Sequence, residues 1–358
     1  MTPEDSLLDF VSAVSGDQYV KVEENLGDGF VRLKVSEAER RQAKHDIRSA
    51  EDVVVELLRN SRDAHARRIY VASAREADVR TLTVIDDGVG VPAAMRDRIF
   101  EPRVTSKLET MVVDRWGVHG RGMALFSVRS NVEEARIVAS DLHKGCSVLV
   151  VVDTTSLPER ADQSKWPTVE RDEAGAPRVG TGPHNIVRRL VEFALEHPDV
   201  EVVTGTPTEV VATLAADARS SLGSRQLLFC DDPAAVAVWQ RPALAADANE
   251  LVSLAGEIGL QISERTAHRV IAGEISPLKS VHDTVVAARA ETADRHTDIY
   301  RDRRGLQIHA RDVREFKRRL EDAFDVVAER YYLRLEGEPR VTVGRDTVTV
   351  RFDVAKDD

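Results

Sequence analysis

The chain has 358 residues, 42% hydrophobic and 31% charged, enough for a substantial core and about two domains. A formal net charge of −11 excludes a basic coat of the kind that grips nucleic acid over a whole surface, and leaves a local basic patch open. No run of about 18 apolar residues marks a membrane span and the acidic N-terminus does not read as a signal peptide; Cys146 and Cys230 stand apart, which excludes a disulfide scaffold or zinc ribbon and fits a reducing, cytoplasmic setting.

In chain order, strands are expected near 19–22 and 30–35, then a charged helix over 36–48. Ser49, with Asp52 three residues on, reads as a capping box opening a helix that runs to about Ala66. Strands follow at Arg68–Ser73 and Arg80–Ile85, where Leu82 and Val84 alternate with polar residues. The chain turns at Asp86-Asp87-Gly88-Val89-Gly90 and passes through a short helix and a loop to Trp116. It then reaches Gly117-Val118-His119-Gly120-Arg121-Gly122, its densest glycine cluster, and a helix begins at Met123. Strands at Ala135–Ala139 and Cys146–Val152 complete an α/β sandwich. Residues 158–183 read as an exposed loop. Beyond them come a helix (184–196), a strand (200–203), an alanine-rich helix (208–219), two helices within 249–290 with Ser263 as an N-cap, a charged helix (310–332), and a hairpin of 340–343 with 347–352.

Three segments carry chemistry. Glu56 and Asn60 are spaced i, i+4, with Asp63 at i+7, so the three share one helical face. There the amide oxygen of Asn60 can bind Mg²⁺ and the Glu56 carboxylate can deprotonate a water; a solvated polar face is the plainer alternative. Asp86, at the end of a buried strand and followed by glycines, can accept a hydrogen bond from an adenine amino group, or simply turn a corner. Gly117, Gly120 and Gly122 before a helix can expose backbone N–H groups to phosphate, or form a flexible loop. Thr105-Ser106-Lys107 adds hydroxyls and a cation, and no GxxxxGK[ST] run is present.

In this order the segments resemble the GHKL superfamily of ATPases, which includes gyrase, heat-shock chaperones, histidine kinases and MutL. Glu56-Leu57-Leu58-Arg59-Asn60-Ser61-Arg62-Asp63-Ala64 looks like its N box, Asp86–Gly90 like its first glycine box and Gly117–Leu125 like its second. The resemblance spans roughly residues 50–152 and implies a left-handed ATP-binding α/β sandwich with a mobile lid; with the helical region and the small C-terminal helix plus hairpin read above, the fold expected is α+β. It implies ATP and Mg²⁺ as ligands, with Glu56 as general base, Asn60 as metal ligand and Asp86 reading adenine. Asp63 joins them on the nucleotide-binding face, Gly88 and Gly90 shape the adenine pocket, and Lys107 neutralises the γ-phosphate. Gly117, Gly120, Gly122 and Met123 fall on the phosphate side, where His119 and Arg121 either add contacts or stand on the lid's surface.

Ile99-Phe100-Glu101-Pro102 is shared with histidine kinases. The spelling of the N box and Thr105-Ser106-Lys107 looks more like the hydrolytic branch that contains MutL and the topoisomerase VI B subunit. Residues 184–202 are similar to the segment closing that subunit's ATPase domain, and 251–281 look like its helix–two-turns–helix domain. The domains expected are 1–205 for ATP binding, 206–290 helical, and 291–358 as a reduced transducer. The function expected is ATP hydrolysis driving a conformational switch through a nucleotide-dependent homodimer, with DNA or a DNA-processing protein as partner. Residues 301–320 support this locally, with eight lysines and arginines against three acids. The alternatives are a protein kinase of the histidine-kinase or anti-sigma type, and a module that binds nucleotide without turnover.

Overall fold

The computed structural model describes residues 22–106, 112–114, 117–119, 122–171, 177–223, 230, 232–285, 308, 310–343 and 347–356. β1 (Val22–Gly27) and β2 (Phe30–Leu33) form a hairpin whose turn places Asp28 and Gly29 at positive φ. α1 (Glu37–Asp46) begins with a complete capping box: Ser36 Oγ accepts from Glu39 N, and the Glu39 carboxylate accepts from Ser36 N. α2 (Ala50–Asp63) starts where expected, without the expected box. Ser49 is buried and its side chain caps nothing, while Asp52 Oδ2 accepts from Arg48 N at 3.0 Å and Ala50 N donates to Pro158 O at 3.1 Å.

β3 (Arg68–Glu76) and β4 (Val79–Asp86) pair antiparallel, followed by 3-10 turns at Ala93–Met95 and Arg98–Phe100. Then come β5 (Val104–Thr105), which joins β2, and a small hairpin of β6 (Val112–Asp114) with β7 (Gly117–His119). α3 (Ala124–Asn131), β8 (Glu134–Ser140) and β9 (Cys146–Asp153) lead to β10 (Val169–Arg171) and β11 (Pro177–Val179), a hairpin inside the stretch expected to be loop. Three-residue strands hold too few alternating positions to show a period, so β6, β7, β10 and β11 leave little trace in the sequence.

α4 (Ile186–Glu196) is capped by Asn185 and α5 (Pro207–Ser221) by a Thr206–Glu209 box, with β12 (Glu201–Gly205) between them. The main sheet has the order β12-β3-β4-β9-β8, parallel between β12 and β3 and antiparallel elsewhere. One face carries Ile69, Val71, Leu82, Val84, Val148 and Val150 against Val53, Leu57 and Leu58 of α2 and Leu190 and Phe193 of α4. Burying each such side chain contributes about 1.5–3 kcal/mol.

The other face carries Tyr70, Ala72, Ile85 and Val203 and is covered by α5, a 3-10 segment (Val238–Leu244), α6 (Ala248–Glu257) and α7 (Glu264–Ile271), the last capped by Ser263 as expected. Two buried hydroxyls fasten this layer to the sheet. Thr83 Oγ1 donates to Gly259 O at 3.0 Å and Ser147 Oγ donates to Ile258 O at 2.7 Å, both in the turn between α6 and α7. The result is a mixed α+β sandwich with helices on both faces of one sheet.

Residues 1–288 cluster as one unit and 289–358 as a second. The second unit contains α8 (Ala310–Tyr331), β13 (Leu333–Leu335), β14 (Arg340–Val343), β15 (Val348–Arg351) and β16 (Val354–Lys356). β14 pairs with β15 as the expected hairpin, β13 pairs with β16, and Phe324 stacks on Phe352 at 5.0 Å. The turn 344–346 and Arg301, Arg303 and Arg304 lie outside the described residues.

Candidate functional site

A cavity of about 150 Å³ opens between α2 and the sheet face that α2 covers. Glu56, Arg59, Asn60 and Asp63 line it from α2, Asp86 from the end of β4, and Cys146 and Val148 from β9. Thr105, Ser106, Gly122, Ala124 and Leu125 close another side, and Phe30, Val91 and Ile99 add apolar wall. The helical stripe read from i, i+4, i+7 spacing therefore faces a cavity, while Val53, Val54, Leu57 and Leu58 bury the adjacent face.

Asp86 is fully buried. Its Oδ2 accepts from Ser61 Oγ at 2.8 Å and its Oδ1 from Gly88 N at 3.0 Å. Burial outweighs these bonds and pushes its carboxyl up to about 6. Glu56 is mostly buried, and its Oε1 accepts from Arg59 Nη1 at 2.6 Å. Asp63 Oδ1 accepts from Arg62 Nε and Nη2 at 3.1 and 2.8 Å. Among the described residues, Asn60 Nδ2 is buried without a hydrogen-bond partner. A carboxamide left unsatisfied at a largely apolar cavity wall has hydrogen-bonding capacity that a bound group can use.

The glycines do different work from one another. Gly90 lines the cavity at φ +70°, and a Cβ there would fall 2.0 Å from Asp141 O. Gly88, expected to shape the pocket, is not among the lining residues; a Cβ there would sit 2.6 Å from Ala64 O, so this glycine lets the chain press against the end of α2. Gly90→Ala is expected to destabilise the protein by roughly 2–4 kcal/mol, combining left-handed strain with displacement of the 141–145 turn. Chemical denaturation measures this, and a loss below about 1 kcal/mol would contradict the packing described.

Gly122 lines the cavity at φ +66° and its carbonyl accepts from Arg103 N at 2.8 Å. Met123 is the N-cap of α3 and is not among the lining residues. Gly117 and His119 belong to the backbone of β7, so the expected glycine loop begins as a strand. Lys107, Gly120 and Arg121 lie outside the described residues.

Sequence reasoning passed over four residues that complete the site. Ser61 and Arg59 sit inside the N-box run, yet only the fold shows that one touches Asp86 and the other Glu56. Cys146 enters the wall through its register with Asp86. Gly145, at φ +78°, would place a Cβ 2.1 Å from Asp86 O, so only glycine lets the turn close on the carboxylate's own backbone.

Residues 45–156 match the family model described as histidine kinase-, DNA gyrase B-, and HSP90-like ATPase. This segment is a GHKL-type domain, a family of ATP-binding proteins, and it contains the N-box stripe, Asp86 and the glycine segments. No curated protein matches the chain. Among the described residues no helix is long and apolar enough to cross a membrane.

Proposed function

We propose that the protein binds Mg²⁺-ATP in this cavity and hydrolyses it to drive a conformational switch. The observation carrying this reading is the convergence of Glu56, Asn60 and Asp86 on one cavity within the matched segment. The donor set fits Mg²⁺. Asn60 offers a carboxamide with unmet hydrogen-bonding capacity, and either end of an amide can be turned inward. The described residues hold no cluster of three or more His, Cys, Asp or Glu able to bind a metal alone, which suits an ion shared with substrate phosphates. Bound at Asn60, the ion would supply charge neutralisation to the phosphates.

The chain's own residues supply the rest. Asp86 accepts a hydrogen bond from the adenine amino group, its backbone held by Gly145 and its carboxylate by Ser61 and Gly88. Glu56 takes the proton of the attacking water. Gly90 and Gly122 let the cavity wall close against the backbone of Asp141 and Val104, and Asp63 completes the polar face. Gly88 contributes through Asp86. Lys107, Gly117, His119, Gly120, Arg121 and Met123 are assigned to the phosphate side on the motif alone.

We place the switch in a DNA-processing context of the topoisomerase VI B or MutL kind, working as a nucleotide-dependent homodimer, with ATP binding in 1–205, a helical region in 206–290 and a reduced transducer in 291–358. Supporting a nucleic-acid partner, Arg314, Lys317, Arg318 and Arg319 lie in the N-terminal half of α8, beside the acids Asp312 and Glu315. Lys317 and Arg319 already pair with Glu338 and Glu315, which tempers that support.

The fate of the γ-phosphate tests the activity. With γ-labelled ATP and Mg²⁺, free labelled phosphate is expected, at a rate increased by DNA. Label transferred to protein would replace hydrolysis with kinase chemistry, and intact ATP after binding would reduce the site to a nucleotide sensor.

A further inference from the structure

Among the described residues lining the cavity, the acids Glu56, Asp63 and Asp86 face a single cation, Arg59. Its guanidinium is 6% exposed, the Glu56 carboxylate is 18% exposed, and they meet at 2.6 Å across one turn of α2. A guanidinium held out of water costs several kcal/mol unless paired, so removing either partner strands the other. The pair is also local: i, i+3 spacing on an intact helix keeps the two together whatever the segments around the cavity do.

We infer that Arg59 is a positioning residue for hydrolysis, holding the Glu56 carboxylate in the rotamer that faces the attacking water. A glutamate has three side-chain torsions, and one that swings freely loses the aligned geometry on which proton abstraction depends. A hydrogen bond to one carboxylate oxygen restrains those torsions and holds the group in place for proton abstraction. The contact at 2.6 Å is the route by which Arg59 would act on turnover, through the Glu56 carboxylate.

This inference rests on the hydrolytic reading, and its test separates the two. Arg59→Met is expected to lower kcat about 10- to 100-fold while the Kd of a non-hydrolysable ATP analogue changes less than about 3-fold. Arg59→Lys, which keeps a cation near the carboxylate, should recover part of the lost kcat. The double variant Glu56→Gln/Arg59→Met should turn over no more slowly than Glu56→Gln alone. A double variant slower than Glu56→Gln would overturn the inference by giving Arg59 an effect independent of Glu56. So would Arg59→Met with unchanged kcat, or Arg59→Lys no better than Arg59→Met. If Arg59→Met does not fold, as judged by circular dichroism and analogue binding, the Arg59→Lys comparison and the Glu56→Gln/Arg59→Lys cycle carry the decision. Normal turnover in Glu56→Gln would instead refute the general-base assignment itself.

Discussion

Glu56→Gln is expected to lower ATP turnover by about 10²- to 10⁴-fold, the range a positioned general base contributes, while changing nucleotide affinity less than about 3-fold. The change removes a charge and a proton acceptor, and leaves the side chain's size and its amide oxygen for Arg59. It also leaves a buried guanidinium facing a neutral partner, so a modest stability loss should accompany it, readable as a lower Tm that nucleotide restores. Phosphate release in single turnover, measured beside equilibrium binding, distinguishes loss of chemistry from loss of binding. A variant that binds and turns over like the parent would remove Glu56 from the mechanism.

Asp86→Asn is expected to act on binding and stability in opposite directions. Losing the charged acceptor should weaken ATP binding roughly 10- to 100-fold, the value of a charge-assisted hydrogen bond of about 1.5–3 kcal/mol. The same change removes a carboxylate whose burial the fold opposes. A rise in pKa from 3.8 to about 6 corresponds to roughly 3 kcal/mol against the charged form, so the variant should be more stable at neutral pH by up to about that amount.

The pH dependence follows from the same shift. Between 3.8 and about 6 the folded chain keeps a proton on Asp86 that the unfolded chain has released. The stability this group contributes is therefore present at low pH and lost as pH rises through that window. Nucleotide affinity moves the other way, falling as pH drops below about 6 and the acceptor becomes protonated. Denaturation and binding curves for parent and variant between pH 4 and 8 check this. Parallel curves for the two proteins in both measurements would contradict the environment assigned to Asp86.

The longest elements and the stripe on α2 were legible because they repeat. Val53, Leu57 and Ala64 mark one face and Glu56, Asn60 and Asp63 the next, a pattern sustained over a 14-residue helix. β4 alternates clearly enough to place Asp86 at its end. What escaped was non-local or short. The bond from Ser61 to Asp86 joins residues 25 apart, and no local pattern announces it. Gly88 is expected to shape the pocket, whereas in the structure a Cβ there would meet Ala64 O at the end of α2 at 2.6 Å. Ser49 carries the right capping residue type and does not cap, because the fold buries it and gives Asp52 another partner. β7, the second strand of the β6–β7 hairpin, occupies the start of a glycine run that reads as a loop, since glycine spacing says where the chain can turn and little about where it pairs.

β4 and β9 are read from both sides at once. Val84, Asp86, Cys146 and Val148 line the cavity, while Thr83 and Ser147, each one residue out of step, hold the turn between α6 and α7. Side chains on a strand alternate between faces, so a slip of a single residue in either strand would send the cavity's residues toward the helical layer and the anchoring hydroxyls toward the cavity. The cavity and the helical layer thus share one phase: neither can be re-spaced without re-spacing the other, and an insertion tolerated in the surrounding loops would be lethal to both in these two strands.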